Sequence, residues 1–274
     1  MEETVKRRYS ARNYTDQPLE ADKRKSLELF VEALDNPFGK EVSFHYLDDS
    51  GLTGQQKLGT YGVIKGANHY IGTSIKVGPM ALEALGYEFE AVILHLAHLG
   101  LGSCWLGGTF KRKDFAKAMA IGEDELFPII SPYGYGAPRM HLAETLMRKM
   151  IGADHRKSWD QLFFSRDFQQ PLSRQEAGDL DFPLEMLRLG PSASNKQPWR
   201  VLITDKACHF YEYKEPRYSD AFPYDIQRVD MGIAAAHFDF SAKEKGLKGH
   251  FDPDCQPALA LPAHTQYVFS WIRD

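Results

Sequence analysis

The chain has 274 residues, 43% of them hydrophobic, enough to bury one large core or two small ones. Its 33 Lys and Arg against 37 Asp and Glu leave a formal net charge of −4, which excludes the basic field that a general nucleic-acid binder needs. Three cysteines, Cys104, Cys208 and Cys255, are too few and too far apart for a disulfide framework or a zinc signature, so a reducing, cytoplasmic setting is expected.

In chain order, Met1-Glu2-Glu3-Thr4 is acidic with no apolar run behind it, so no signal peptide is expected. Leu27, Phe30, Val31 and Leu34 recur at helical spacing and predict a helix over 20–34. Residues 42–46 alternate and read as a strand, and 67–76 read as another. A long helix is predicted over 79–99. Its middle is apolar almost all round, so it belongs in the core, and Gly100 and Gly102 end it. The apolar stretch within it, 91–101, is broken by His95, His98 and Gly100 and is too short to span a bilayer; no membrane association is expected. A strand over 126–131 precedes a Gly/Pro-rich turn over 132–138. Residues 139–162 form a basic, helix-prone connector. Beyond it follow a helix, strands over 200–204 and 209–213, a helix over 230–245 and a terminal strand over 267–271. Strands and helices mix without the regular alternation of a doubly wound sheet, which makes the fold class α+β.

The chain also repeats itself. Leu85-Gly86-Tyr87-Glu88-Phe89-Glu90-Ala91 lies on Met231-Gly232-Ile233-Ala234-Ala235-Ala236-His237 without a gap, and the register carries Gly100-Leu101 onto Gly246-Leu247. Earlier, residues 10–19 match 165–172 with a small deletion; later, 127–131 match 267–271. Three matches in one order argue for duplication, with a first half over 1–160 and a second over 161–274.

Four motifs stand out. Lys6-Arg7-Arg8-Tyr9-Ser10-Ala11-Arg12 is either a solvated basic arm or a phosphate site, since guanidiniums and a hydroxyl give charge-assisted hydrogen bonds. Pro191-Ser192-Ala193-Ser194-Asn195-Lys196-Gln197-Pro198-Trp199 is a turn unusually rich in small polar residues. Gly100-Leu101-Gly102-Ser103-Cys104-Trp105-Leu106-Gly107-Gly108 fails as a dinucleotide fingerprint, because Trp105 stands where the third glycine belongs and the run follows a helix. Gly107-Gly108 is instead a place for backbone to approach a ligand. The fourth is Pro132-Tyr133-Gly134-Tyr135-Gly136-Ala137-Pro138-Arg139, with Arg156-Lys157 downstream. His95 and His98 share a helix face, but no further ligand follows at metal spacing, so packing is expected and no metal site. Cys104 has no evident base and is not expected to be a nucleophile.

Together these four motifs resemble the nitroreductase family of FMN-dependent oxidoreductases, over nearly the whole chain. That family carries Arg-x-Ser-x-Arg/Lys, Pro-Ser-x-x-Asn-x-Gln-Pro-Trp, a helix ending in Gly-Leu-Gly-x-x-Trp, and a Pro-x-Gly-Tyr turn with basic residues after it. The motif order departs from the family: the Pro-Ser loop is missing from the first half, where residues 34–40 stand, and appears in the second. The resemblance therefore implies a nitroreductase-like, internally duplicated pseudo-dimer, with mixed sheets around central helices and one FMN per chain held between the halves. It implies that Arg8, Tyr9 and Ser10 meet the phosphate and ribityl end, with Arg156 or Lys157 completing the phosphate site. Arg12 would lie at the N1–C2 carbonyl edge, with Thr60, Gly62 and Lys65 as weaker candidates there. Leu106, Gly107 and Gly108 would face the ring, the backbone of the two glycines at N5. Pro191, Ser192, Ala193 and Asn195 would arrive from the second half. The implied activity is ping-pong hydride transfer, with Arg12, Gly107 and Gly108 as catalytic positions, NAD(P)H as co-substrate, and a nitroaromatic, quinone or similar small molecule as acceptor. The alternatives are a flavin-binding or sensing protein with little or no turnover and a scaffold without cofactor. A monomer, or a dimer dispensable for binding, is expected.

Overall fold

The computed structural model describes residues 1–49, 58–137 and 155–274. Contacts divide the chain into two compact units. One comprises Glu3–Ala81 and Glu88–Met147; the other comprises Met1–Glu2, Leu82–Tyr87 and Arg148–Asp274.

The first of these units opens with α1 (Glu2–Arg7) and α2 (Ala21–Glu32). It is built on a four-stranded sheet of β1 (Val42–Asp48), β2 (His69–Lys76), β3 (Gly102–Ser103) and β4 (Glu125–Gly134), in the order β1-β2-β4-β3 and antiparallel throughout. The long helix α3 (Ala81–His98) and the short α4 (Arg112–Ala118) lie between strands in sequence. An aromatic core of Phe110, Phe115, Phe127 and Tyr70 packs edge to face, with ring centroids 5.2–5.9 Å apart.

The other unit holds a five-stranded sheet of β5 (Phe163–Ser165), β6 (Trp199–Ile203), β7 (Ala207–Tyr213), β8 (Gly249–Asp252) and β9 (Thr265–Arg273). Its order is β5-β6-β7-β9-β8, with β5 the one parallel strand at the edge. Helices α5 (Arg174–Ala177) and α6 (Asp181–Arg188) precede the sheet's second strand, and α7 (Ile226–Glu244) follows its third. The apolar side of α6, Pro183, Leu184, Met186 and Leu187, is buried, as its spacing demands.

The two sheets share one plan. Without β5, the order β6-β7-β9-β8 reproduces β1-β2-β4-β3, and a register shift interrupts the second pairing in each, at Thr73/Ile75 and at Phe210/Tyr211. The helices end alike too. Gly100 (φ +76) gives its N–H to Ala97 and Leu101 to Leu96; Gly246 (φ +72) gives its N–H to Lys243 and Leu247 to Ala242. Both are Schellman caps, in which a left-handed glycine lets its own N–H and the next one satisfy orphan carbonyls. Within the second unit, α7 crosses the α3 turns Leu82–Tyr87 at Gly86 and Gly232. A methyl on Gly86 would strike the carbonyl of Val229, and one on Gly232 the carbonyl of Glu83. In the register that lays Gly86 on Gly232, Glu83 lies on Val229, so the contact is reciprocal, as at a two-fold axis.

The α3 interior is buried through Leu94, as its composition predicts, and it also buries three glutamates. Each has a partner: Glu83 with Arg228, Glu88 with the Asn36 side-chain amide at 2.6 Å, Glu90 with the Trp105 indole N–H at 2.8 Å.

Several local expectations change. The turn predicted over 132–138 is strand as far as Gly134, because β2 (at His69 and Tyr70) and β3 (at Gly102 and Ser103) hold it from both sides and outweigh the local proline and glycine. The helix predicted over 230–245 starts earlier, where the Asp225 carboxylate caps it by accepting the Gln227 N–H at 3.2 Å. The 155–158 part of the connector is not helical and only a single tight turn, Trp159–Gln161, follows it; the connector's residues 139–154, with Pro138 and Arg139 of the fourth motif, lie outside the described residues. Strands β3, β5 and β8 and helices α1 and α4 do not stand out in the sequence; each is short. Among the described residues no helix is long and apolar enough to cross a membrane.

Candidate functional site

In the unit built on the four-stranded sheet, the basic motif leaves α1 and becomes an extended arm. Ser10 bridges Ser103, and Ala11 N–H donates to the Ser103 carbonyl at 2.8 Å. Lys65 N–H donates to the Arg12 carbonyl and Tyr14 N–H to the Lys65 carbonyl, both at 2.9 Å; Ala137 N–H donates to the Asn13 carbonyl at 2.8 Å. Three motifs distant in sequence are thus stitched together by backbone hydrogen bonds. The buried Tyr14 hydroxyl donates to the Ala11 carbonyl at 2.9 Å and clamps the arm's curvature. A cleft of about 270 Å³ runs beside the arm, lined by Arg8, Tyr9, Leu101, Gly102, Ser103 and Tyr135.

Arg12 is the informative side chain. Its Nε and Nη1 are buried and have no hydrogen-bond partner among the described residues. A guanidinium keeps its charge at any ordinary pH, so burying its N–H groups without an acceptor is costly. The arrangement suits an electron-rich acceptor edge.

The neighbouring candidates divide. The Thr60 hydroxyl closes its own turn, accepting the Ile64 N–H at 3.3 Å, and Gly62 (φ +75) gives that turn its bend. Lys65 serves the arm through its main chain. Leu106 is buried and pairs with Ile130 in both directions, at 2.9 and 3.1 Å. Gly108 is exposed, and the Gly107 carbonyl accepts Arg112 Nη2 at 2.6 Å, so the arginine fixes this peptide's orientation. Arg112 had no role in the sequence reading. His95 packs flat on Phe30 with centroids 4.1 Å apart and contacts the Ser26 hydroxyl at 3.2 Å; burial lowers its pKa. Among the described residues no group of three or more His, Cys, Asp or Glu side chains could hold a metal ion.

In the other unit, the Pro-Ser loop is a tight turn with left-handed backbone at Ser194, Asn195 and Gln197 (φ +46, +55 and +50). Short polar side chains make such geometry tolerable by bonding locally. Gln197 N–H donates to Ser192 Oγ at 2.9 Å, and Tyr218 Oη to Ser194 Oγ at 2.8 Å. Arg156 Nη1 donates to Asn195 Oδ1 at 2.9 Å, with its other nitrogens on the Leu189 carbonyl, while Asn195 Nδ2 donates to the His155 carbonyl at 2.7 Å. Arg156 therefore braces the loop. Lys157 Nζ lies 3.5 Å from the Gln197 carbonyl, which also accepts Arg200 Nη1 at 3.1 Å, and both cations approach the Tyr213 ring. Burial first, then the Arg200 and Lys196 charges, lower the Lys157 pKa to about 8. Burial likewise lowers Arg200 to about 10. Crowded, part-dehydrated cations are the electrostatic setting in which an anion is welcome.

Two loop partners escaped the sequence reading. Arg200 reads in the sequence as an ordinary strand residue. Asp230 accepts the Ala193 N–H at 2.9 Å from inside α7. A signal existed for the second: an acid within an apolar helical run needs a partner.

The second half's counterpart of the arm takes a different course. Ser165 N–H donates to the Gln170 carbonyl and Leu172 N–H to the Phe163 carbonyl, closing a hairpin around Arg166 (φ +66). The aromatic rings of Phe164, Phe168, Tyr211 and Tyr267 pack together beside it.

Over residues 1–242 the chain matches the family model described as "Putative TM nitroreductase". In fold it is similar to a "putative nitroreductase" crystal structure from Thermotoga maritima, with a TM-score of 0.63 and 17% identity over 99% of this chain and 92% of that one. Two other solved structures align with about half of the chain. One is a nitroreductase with bound FMN from Bacteroides fragilis (TM-score 0.41, 18% identity, 51% of this chain and 90% of that one). The other is an FMN-dependent nitroreductase from Clostridium difficile (TM-score 0.42, 18% identity, 54% and 96%). No curated protein sequence matches.

Proposed function

Because the chain belongs to the nitroreductase family, we propose that it is an FMN-dependent NAD(P)H oxidoreductase that passes hydride to a nitroaromatic, a quinone or a similar small acceptor. The observation that carries this reading is the buried Arg12 guanidinium, whose Nε and Nη1 have no partner among the described residues. FMN, when bound, would supply a hydride acceptor and donor at N5. Arg8 and Ser10 would hold its phosphate and ribityl chain, with Lys157 adding charge at the phosphate and Tyr9 lining the same end. Arg12 would meet the N1–C2 carbonyl edge and favour the negative charge that reduction puts there. Lys65, through its bond to the Arg12 carbonyl, would fix the direction from which that charge arrives, beside the turn formed by Thr60 and Gly62. The Gly107-Gly108 peptide, oriented by Arg112 and anchored by Leu106, would present its backbone to N5. Pro191, Ser192, Ala193 and Asn195 would cover the ring, and Arg156 would keep that loop in shape. No side-chain nucleophile is required, and the acceptor would follow oxidised NAD(P) into the same place. One FMN per chain and no need of a second copy go with this reading.

The test is direct. Purified protein equilibrated with FMN should turn yellow, bleach on NADH or NADPH without oxygen, and recover its colour on addition of a quinone or nitroaromatic. Protein that takes up no FMN overturns the proposal. Bound flavin that neither nucleotide reduces overturns its enzymatic part and leaves a flavin-binding protein.

A further inference from the structure

Asp230 sits on the first turns of α7, 2% exposed, between the buried Val229 and Met231. Its Oδ1 accepts the Ala193 N–H at 2.9 Å, while Oδ2 is buried without a hydrogen-bond partner among the described residues. A carboxylate held away from water with one donor is poorly compensated as an anion. As a neutral acid it can still accept the Ala193 N–H.

The charges around it favour the neutral form. Glu212 on β7 is fully buried, and Asp225 caps the same helix. Arg228, two residues back, is engaged with Glu83, and its Nη1 lies 3.9 Å from Glu212. Lys214 is paired with Asp225 at 2.8 Å, and Glu215 with Lys196 at 3.0 Å. Tyr218 bonds the loop at Ser194. Burial raises the Asp230 pKa well above the ordinary aspartate range; the Ala193 N–H opposes this, and the Glu212 and Asp225 carboxylates add to it.

We propose that Asp230 is a positioning residue for the Pro-Ser loop: its protonated carboxyl holds the Ala193 amide and keeps the loop able to take an anionic ligand. Ionisation would put an uncompensated negative charge behind that loop. The ligand part rests on the reading that this loop meets FMN. Affinity for FMN should then fall as pH rises through the Asp230 titration.

Two variants isolate the contact. Asp230→Asn keeps an acceptor for Ala193 and mimics the neutral acid at every pH. Ala193→Pro removes the donor with little change of backbone: Ser192 (φ −150, ψ 160) is already extended, as a residue before proline must be, and Ala193 opens a helical turn, where proline fits. In full-length, ¹⁵N-labelled, ligand-free protein, the Ala193 amide signal should shift with a titration above the ordinary aspartate range, and Asp230→Asn should abolish that titration. FMN affinity should fall with rising pH in the wild type and fall less steeply in Asp230→Asn, where only the loss of the Lys157 charge at about 8 remains. Ala193→Pro should weaken FMN about two- to tenfold in the acid range, the loss expected of one neutral hydrogen bond. A flat Ala193 signal in the wild type overturns the proposal, as does an Asp230→Asn variant that keeps the wild-type pH profile. If the wild type binds no FMN, the proposed function falls, and the amide titration alone decides whether Asp230 holds the loop.

Discussion

Arg12 and Arg8 stand four residues apart on one arm and are expected to fail differently. If Arg12 faces the pyrimidine edge, Arg12→Gln should remove about 1.4–2.8 kcal/mol of preference for the reduced flavin, the scale of a hydrogen bond to a charged group. For a two-electron couple that lowers the midpoint potential by about 30–60 mV. Potentials of wild type and variant, each at full FMN occupancy, check this; an unchanged or raised potential would take Arg12 away from that edge. Arg8→Ala should instead weaken FMN about ten- to a hundredfold and leave riboflavin, which has no phosphate, nearly untouched. Competitive titration of the two ligands separates these outcomes. Glu88 makes a pH argument of its own. Burial raises its pKa to about 7, against the pull of the Asn36 amide. A folded pKa above the unfolded one means that the native state holds the proton longer. Its contribution to stability therefore declines as pH climbs from the ordinary glutamate range toward about 7. Urea midpoints across that window should fall in the wild type and fall less steeply in Glu88→Gln, since burial also raises Glu212 to about 7; parallel slopes would discount Glu88 as a source.

Helices α3 and α7 show how an element can be specified by what it lacks. At Gly86 and Gly232 the partner's carbonyls stand where a side chain would begin. Gly232→Ala must force two helix backbones apart, and about 3 kcal/mol, the upper end of the overpacking range, is expected. Gly78→Ala, with nothing within 4 Å of the added methyl and no positive φ, is the matched control and should be nearly neutral. Thermal unfolding of both compares them; equal midpoints would mean that the crossing yields. The alanine's better helix propensity, about 1 kcal/mol, works against the predicted loss and makes the test conservative. The two arms differ for an equally local reason. Ser10 to Tyr14 finds backbone partners at Ser103 and Lys65, whereas Ser165 finds its partner at Gln170, five residues away, and turns back on itself.

Across the whole molecule, the two units share a plan but not their motifs. Both sheets follow one strand order and both long helices one cap, yet the basic arm and the glycine motif belong to one unit and the Pro-Ser loop to the other. A single FMN per chain is expected, and a titration that saturates at two would refute it. Cutting the chain within the connector should abolish binding in either fragment, since neither carries all the motifs. The sequence by itself determined the family, the repeat, the long buried helix and the residues of the arm and the loop, because motifs and apolar periodicity are local patterns. It also placed Gly86 on Gly232, but could not say that they touch. Only the tertiary structure decided that Gly134 is strand, that Arg156 braces the loop, that Arg112 takes the Gly107 carbonyl and that Asp230 reaches Ala193. All but the Arg112–Gly107 bond, which spans five residues, join residues far apart in the chain, and each partner is chosen by proximity in the fold, which no local spacing encodes.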